Sequence, residues 1–224
     1  GWTHTFKRKN YEWDVGIHYI GQVNRPNSPI RKLFDLISDG KLKWSMMDDN
    51  YDKIIFPDRS YDFFAPREKF IDDMLSYFPK EEDAIITYMN LLDEIAKSSR
   101  LYFKQKSFSG ILDTISYPFM TKGFFKYSDK TTYDVLSNLT QNKKLIGVLT
   151  GQWGDYGLPP KSSSFAMHAF VARHYLHGGN YPTGSSRRIA ETISELIEKN
   201  GGTLVVNAGV KCIKIHNGKS VGVE

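Results

Sequence analysis

The stretch from Lys80 to Gln105 has the spacing of one long helix that is apolar over a wide arc. Ile85, Met89, Leu92 and Ala96 recur along one line of it, and Tyr88, Leu91, Ile95 and Tyr102 along the next. A helix with so broad an apolar stripe has to lie between other elements, so the chain must build layers around it. Glu81, Glu82 and Asp83 stand in its first turn, where they complement the helix dipole.

The surrounding elements are short. Residues 4–8 and 11–20 are β-prone runs around Lys9-Asn10, which has the composition of a hairpin turn. Pro29 opens an amphipathic helix over 29–38, and Gly40 follows its end. Strand patterns at 42–47, 53–57 and 61–64 alternate with turn residues Asp48-Asp49-Asn50 and Pro57-Asp58-Arg59-Ser60, which predicts an antiparallel meander. Helices are expected over 67–77, 131–139, 142–151, 163–177 and 185–200, with a long loop at 152–161. Residues 107–130 look irregular, with Gly110, Pro118 and Gly123 among Ile111, Leu112, Ile115, Phe119, Met120, Phe124 and Phe125. Buried, this segment is a loop-helix packed on the sheet, which is the expected state; exposed, it contacts a membrane or lines a ligand channel. Strand patterns at 203–207, 209–216 and 220–224 close the chain, and Asn217-Gly218 joins the last two as a strong hairpin signal. The fold class is α+β, a mixed or antiparallel sheet covered by helices.

With 224 residues and 40% hydrophobic content, the chain has material for one sizeable core or two small ones. Aromatics reach 14%, enough for a ring-rich core or for the lining of a large apolar ligand site. The net charge of +5 is scattered, and no basic stripe interleaves with aromatics, so no nucleic-acid partner is expected. Cys212 is the only cysteine, which precludes an internal disulfide and points to an intracellular chain. No signal-peptide pattern is evident, and no uncharged apolar stretch approaches the roughly 20 residues of a bilayer span.

Catalytic motifs of the commoner kinds are missing. His174 and His177 lie three apart, as two metal ligands on one helical face would. No carboxylate or cysteine completes a zinc pattern, however, so hydrogen-bonded or solvated histidines are expected and no metal. There is no G-x-S-x-G elbow for a serine hydrolase. Three segments rise above background. Trp13 to Gly21 is an apolar strand interrupted by glycines, which signals a bulge or a close approach of ligand or backbone. Tyr175-Leu176-His177-Gly178-Gly179-Asn180-Tyr181-Pro182-Thr183-Gly184-Ser185-Ser186 feeds a helix N-terminus, either as a plain turn or as a place for a polar or anionic ligand. The third is the glycine-led run from Gly201-Gly202 to Val223.

Taken in order, these segments resemble the flavin-dependent family of phytoene desaturases, carotenoid isomerases and all-trans-retinol saturases. Thr3-His4-Thr5-Phe6 followed by Trp13-Asp14-Val15-Gly16-Ile17-His18-Tyr19-Ile20-Gly21 is similar to the block after the first βαβ unit of its FAD-binding domain. Leu149-Thr150-Gly151-Gln152-Trp153-Gly154-Asp155-Tyr156-Gly157-Leu158-Pro159-Pro160 and His174 to Pro182 resemble the retinol saturase branch in particular. The chain lacks the G-x-G-x-x-G loop, the acidic ribose-binding residue and the C-terminal flavin motif of that family, so the resemblance implies an interior piece of a larger flavoenzyme.

Further expectations follow from the resemblance alone. Partial strands of a Rossmann-like FAD-binding domain stand at both ends, with residues 1–25 and 176–224 in that domain and 26–175 in a substrate-binding domain. Gly16, His18, Tyr19 and Gly21 would lie near the flavin ring or pyrophosphate, and Val210 near its adenine end. Tyr181, Pro182 and Gly184 would border the flavin and substrate cavity, and Ser185 stands where many relatives carry a second glycine. The chemistry implied is hydride or electron transfer between FAD and a conjugated isoprenoid in an apolar tunnel, with NAD(P) as an electron partner. Saturating a double bond also takes a proton donor, for which Tyr156, His168 and Tyr181 are the candidates. The location implied is cytoplasmic, with peripheral membrane contact. A non-catalytic isoprenoid- or lipid-binding domain is the alternative.

Overall fold

A computed structural model describes residues 3–106 and 111–224. Gly1-Trp2 and the start of the irregular segment at 107–110 lie outside the described residues. Strands β1 (Thr5–Arg8), β2 (Tyr11–Asp14) and β3 (Ile20–Gly21) are followed by helix α1 (Pro29–Ile37). Next come β4 (Trp44–Met46), β5 (Asn50–Ile55) and β6 (Ser60–Phe64), then helices α2 (Arg67–Tyr77), α3 (Glu82–Gln105), α4 (Ile111–Ser128), α5 (Thr132–Ser137) and α6 (Lys143–Leu149). A 3₁₀ turn at Gly151–Asp155 leads to α7 (Phe165–Tyr175), β7 (Gly179–Pro182) and α8 (Arg187–Lys199), and the hairpin β8 (Ile213–His216) and β9 (Lys219–Val223) ends the chain. The architecture is mixed helix and antiparallel sheet, as the α+β reading expects.

The chain forms two compact units. One holds the chain up to Ile17 with Leu33–Lys43 and Pro182–Glu224; the other holds His18–Lys32 and Trp44–Tyr181. In the second unit α3 is the central element, and Ile85, Tyr88, Met89, Leu92 and Ile95 are all at most 1% exposed. They pack with Phe70 and Met74 of α2, Leu145 and Val148 of α6 and Phe165 and Ala169 of α7. The side chains α3 turns toward its neighbours are those its sequence period selects.

Three expectations need correcting. The strand patterns at 42–64 do not form a meander: β5 pairs with β6, but β4 joins β7, and β7 also pairs with β3. Met47 N–H donates to the Gly179 carbonyl at 3.0 Å, so the chain leaves β4 toward a partner far along the sequence. An extended run shows that it can pair but not with what. Residues 203–212 carry no strand, and Leu204, Val205 and Val206 are 51–72% exposed, because no described strand lies beside them to complete a ladder. The segment after 110 is a helix packed on α3, not a loop-helix on the sheet. Pro118 sits inside α4 and removes one backbone donor there. Tertiary packing overrides that loss: Tyr102 stacks on Phe124 with centroids 4.5 Å apart, and the Tyr127 hydroxyl donates to Glu94 Oε2 at 3.1 Å. Gly123 lets the two helices approach, since a Cβ there would meet Ser98 Cβ at 3.3 Å. Smaller differences fall at element ends; the β-prone run at 11–20 breaks after Asp14, and α7 stops at Tyr175, so His177 lies beyond it.

In the first unit, the hairpin β1–β2 pairs Thr5 with Asp14 and Phe6 with Trp13. Asp14 Oδ1 accepts from the Ser186 N–H at 3.1 Å and the Ser186 hydroxyl at 2.8 Å, so its carboxylate caps the start of α8. Gly184 and Ser185 both have left-handed backbones, at φ 88° and 89°. The second is costly for serine and explains why glycine suits that position.

Candidate functional site

Within the second unit, the His18-Tyr19 pair is held in a ring-lined polar cluster. Tyr19 packs on Tyr175 with centroids 4.4 Å apart, and Tyr51 flanks both. The Tyr19 hydroxyl donates to Asp52 Oδ2 at 3.1 Å, and Gln152 Nε2 donates to the same oxygen at 3.1 Å. Tyr175 donates its hydroxyl proton to the Tyr19 carbonyl at 3.1 Å and lies 3.3 Å from His18 Nδ1, while His18 Nε2 is 3.6 Å from Asp155 Oδ1. Burial pushes the Tyr19 and Tyr175 hydroxyls well above the ordinary tyrosine range, so both stay protonated. Burial also raises the Asp155 carboxyl, and His18 pulls it back down. Gln152 and Asp155 reach the cluster from the 3₁₀ turn, whose Gly151 rests against Ile54; a Cβ there would stand 2.5 Å from Ile54 Cδ1.

A second line of groups runs through α7. His168 is fully buried and sits between two tyrosines, with Nε2 3.0 Å from the Tyr88 hydroxyl and Nδ1 3.1 Å from the Tyr156 hydroxyl. Burial drives its pKa down to about 3, so the ring is neutral and carries one N–H. Among the described residues Tyr88 has no hydroxyl partner besides His168, so it donates to Nε2, and the N–H at Nδ1 then donates to Tyr156. Tyr156 is half-buried, its pKa pushed up to about 12 mainly by burial, with a Ser163 hydrogen bond acting the other way. The result is a neutral, fully protonated phenol fixed in place by a histidine.

The glycines of the His18 block face protein. A Cβ on Gly21 would stand 1.9 Å from the His174 carbonyl oxygen, and the Gly21 N–H donates to His174 Nε2 at 2.7 Å. Burial lowers the His174 pKa to about 4, which keeps Nε2 free to accept. A Cβ on Gly179 would meet the Tyr19 ring at 2.7 Å. Glycine is therefore required where β3 and β7 press against α7 and Tyr19. Among the described residues no group of three or more His, Cys, Asp or Glu side chains comes together as metal ligands would.

Of the residues singled out by sequence, the structure brings together His18 with Tyr19, and Tyr156 with His168. Gly16 falls in the turn after β2, Tyr181 and Pro182 end β7, and Gly184 follows in its left-handed turn. Val210 is 60% exposed and outside any strand. Asp52 and Tyr88 carry no local motif, while Gln152 and Tyr175 lie within the family-like stretches at 149–160 and 174–182 without being singled out there. Two observations bear on a dinucleotide cofactor. The start of α8, the place for an anion after the glycine-rich turn, is taken by Asp14, and the space beside Gly21 is filled by His174. Neither of these two places is open to a diphosphate. The aromatic core between Tyr51, Phe63, Phe70 and Tyr88 encloses only about 10 Å³, room for about one water and not for an isoprenoid.

No family model matches the chain. Among known proteins it is similar to an all-trans-retinol 13,14-reductase of Danio rerio, at 34% identity over the whole chain and 38% of that relative. The all-trans-retinol 13,14-reductase of Homo sapiens is 29% identical over the same span, again 38% of its length. A Danio rerio protein named inactive all-trans-retinol 13,14-reductase is 27% identical over 95% of the chain and 36% of its own length. The chain thus spans about two fifths of the length of these relatives.

Proposed function

On the premise that the chain belongs to the retinol saturase branch of its family, we propose that it is the substrate-side part of a flavin-dependent oxidoreductase that saturates a double bond of a retinoid. The observation that carries this reading is the whole-length similarity to proteins named retinol reductases. On this reading residues 26–175 form the substrate domain. The terminal segments 1–25 and 176–224 belong to a Rossmann-like flavin domain, whose diphosphate-binding groups lie outside the residues described. FAD is the cofactor proposed, and NAD(P) its electron partner.

The residues present have roles of their own. Saturation of a carbon–carbon double bond adds one hydrogen as a proton, and Tyr156 is the group proposed to hold it. Its phenol is neutral at physiological pH, half-open to solvent for reprotonation, and oriented by the Nδ1–H of His168. A phenolate left on Tyr156 keeps that N–H as a donor. The near-solid aromatic core supports a substrate lying on the surface of this unit instead of in a tunnel through it. Peripheral membrane contact, the further part of the proposal, is supported by the exposed Ile115 and Phe119 (83%) of α4 and by the exposed Leu101 and Phe103, which neighbour Lys104 and Lys106 in sequence. A cytoplasmic location remains part of this proposal; no helix among the described residues is long and apolar enough to cross a membrane.

Conversion of all-trans-retinol by the flavin-loaded full-length protein, with and without Tyr156→Phe, tests the assignment. Loss of the hydroxyl should lower turnover about 100-fold with little change in retinol binding, the size expected for removing a general acid. Unchanged turnover would remove Tyr156 from the mechanism, and no conversion by the unmodified protein would favour the second reading, a non-catalytic isoprenoid-binding domain. The specific observation behind that second reading is the relative named inactive.

A further inference from the structure

One cleft of the second unit is unrelated to the His18 and His168 clusters in its chemistry. Ala96, Ser99 and Arg100 follow each other at helical spacing on α3, and Phe170, Arg173 and His174 do so on α7; each set therefore shares one helix face. Together with Gln22, Pro29 and Ile30 they line a space of 260 Å³. An adjoining space of 240 Å³ shares Gln22, Pro29, Arg100 and Arg173 and adds Arg25, Asn27 and Ser28. One end is apolar, with Ile30, Ala96 and Phe170, and the other end is strongly basic.

The charge at the basic end is poorly balanced. Arg173 Nε is 3.1 Å from Asp93 Oδ1, but Arg67 also pairs with that carboxylate, at 3.4 Å. Among the described residues neither Arg25 nor Arg100 has a carboxylate partner. The wall that carries Arg25 is stitched in place. The Arg25 N–H donates to the Gln22 carbonyl at 3.1 Å, and the Ser28 N–H donates to the Arg25 carbonyl at 3.0 Å. The Ser28 hydroxyl donates to the Gln22 carbonyl at 2.8 Å, and Arg31 Nη1 donates to the Val23 carbonyl at 3.1 Å. His174 adds a donor: its Nε2 accepts from Gly21, so the neutral ring carries its proton on Nδ1, which has no partner among the described residues. A preformed cleft with spare guanidinium groups at one end and aliphatic and aromatic surface at the other suits a ligand of matching polarity.

We propose that this cleft binds an amphipathic anion, with a carboxylate or phosphate head among Arg25, Arg100 and Arg173 and an apolar body over Ile30, Ala96 and Phe170. The site is distinct from the proposed proton donor, and the proposal stands whether or not the protein is an oxidoreductase.

Calorimetric titration of the chain with laurate, dodecyl phosphate, dodecanol and inorganic phosphate, all below micellar concentrations, tests it. Laurate or dodecyl phosphate should bind at least tenfold more tightly than dodecanol and than inorganic phosphate, and the tighter of the two heads identifies the physiological one. Binding should weaken as salt is raised, because the head is held by partly exposed charges. The double variant Arg25→Ser/Arg100→Ser, at two exposed positions, should lose at least tenfold in affinity with an unchanged circular dichroism spectrum. Dodecanol binding as tightly as laurate, inorganic phosphate matching dodecyl phosphate, or an unaffected double variant would each overturn the proposal. The head-group series on the unmodified chain decides the matter even if the variant folds poorly.

Discussion

Replacing Gly21 with alanine is expected to destabilise the second unit by about 3–5 kcal/mol, the range of the most damaging single substitutions. The added methyl would stand 1.9 Å from the His174 carbonyl oxygen and 2.7 Å from its carbon, and backbone atoms of a packed helix end cannot move aside as a flexible side chain can. Relief requires β3 to lift away from α7. That breaks the 2.7 Å hydrogen bond from Gly21 N–H to His174 and the pairing of Gly21 with Gly179. Gly154→Ala is the control, since nothing lies within 4 Å of a Cβ built there; it should change stability by no more than about 0.5 kcal/mol. Urea unfolding of both variants checks the contrast. Equal stability of the two would mean that β3 does not pack as described.

Stability should fall steeply in mild acid, and His168→Gln should remove a defined part of that fall. The His168 pKa drops from 6.5 to about 3 on folding, so the unfolded chain binds a proton that the folded chain refuses. Its contribution is complete above pH 6.5 and is lost as the pH falls toward 3. Across the window from about 6 to 4.5, one such histidine contributes a slope of about 1.4 kcal/mol per pH unit. His174, lowered to about 4, adds a similar slope, while Asp155, raised by burial, acts in the opposite direction. The Gln variant cannot titrate, so its slope should be shallower than that of the unmodified chain by about 1.4 kcal/mol per pH unit. The unfolding free energy measured at half-unit steps from pH 4.5 to 7 gives both slopes directly. Parallel curves would show that His168 is protonated in the folded state.

The same two residues mark what could be read in the sequence. Helix α3 was legible almost to its ends, because a 3.6-residue period over two dozen positions has few alternative explanations. The glycine-interrupted block ending at Gly21 was legible as a place of close approach, but what approaches was not; it is the backbone of His174, 153 positions along the chain. Partnerships of this kind decide the sheet as well. Trp44–Met46 was recognisable as a strand, yet its place beside β7 depends on contacts with Gly179 that leave no local pattern. The helix α4 was hidden by Pro118 and Gly123, which signal a break in isolation and are tolerated against α3. His168 and Tyr156 were both named from the sequence, but their hydrogen bond and the role of Tyr88 became visible only with α3 and α7 packed. Asp52 and Gln152, which share the Tyr19 hydroxyl, stand 100 residues apart; Asp52 carries no motif, and the family-like stretch around Gln152 does not show what it meets.

The assignment to retinoid saturation is tested most directly by the absorption spectrum of the full-length protein, recorded alone and then with all-trans-retinol under reducing conditions. A flavin band in the purified protein, followed by loss of the retinol band as conjugation is shortened, is the result expected. A protein without flavin that gains none on addition of FAD, and that leaves the retinol band unchanged, would contradict it.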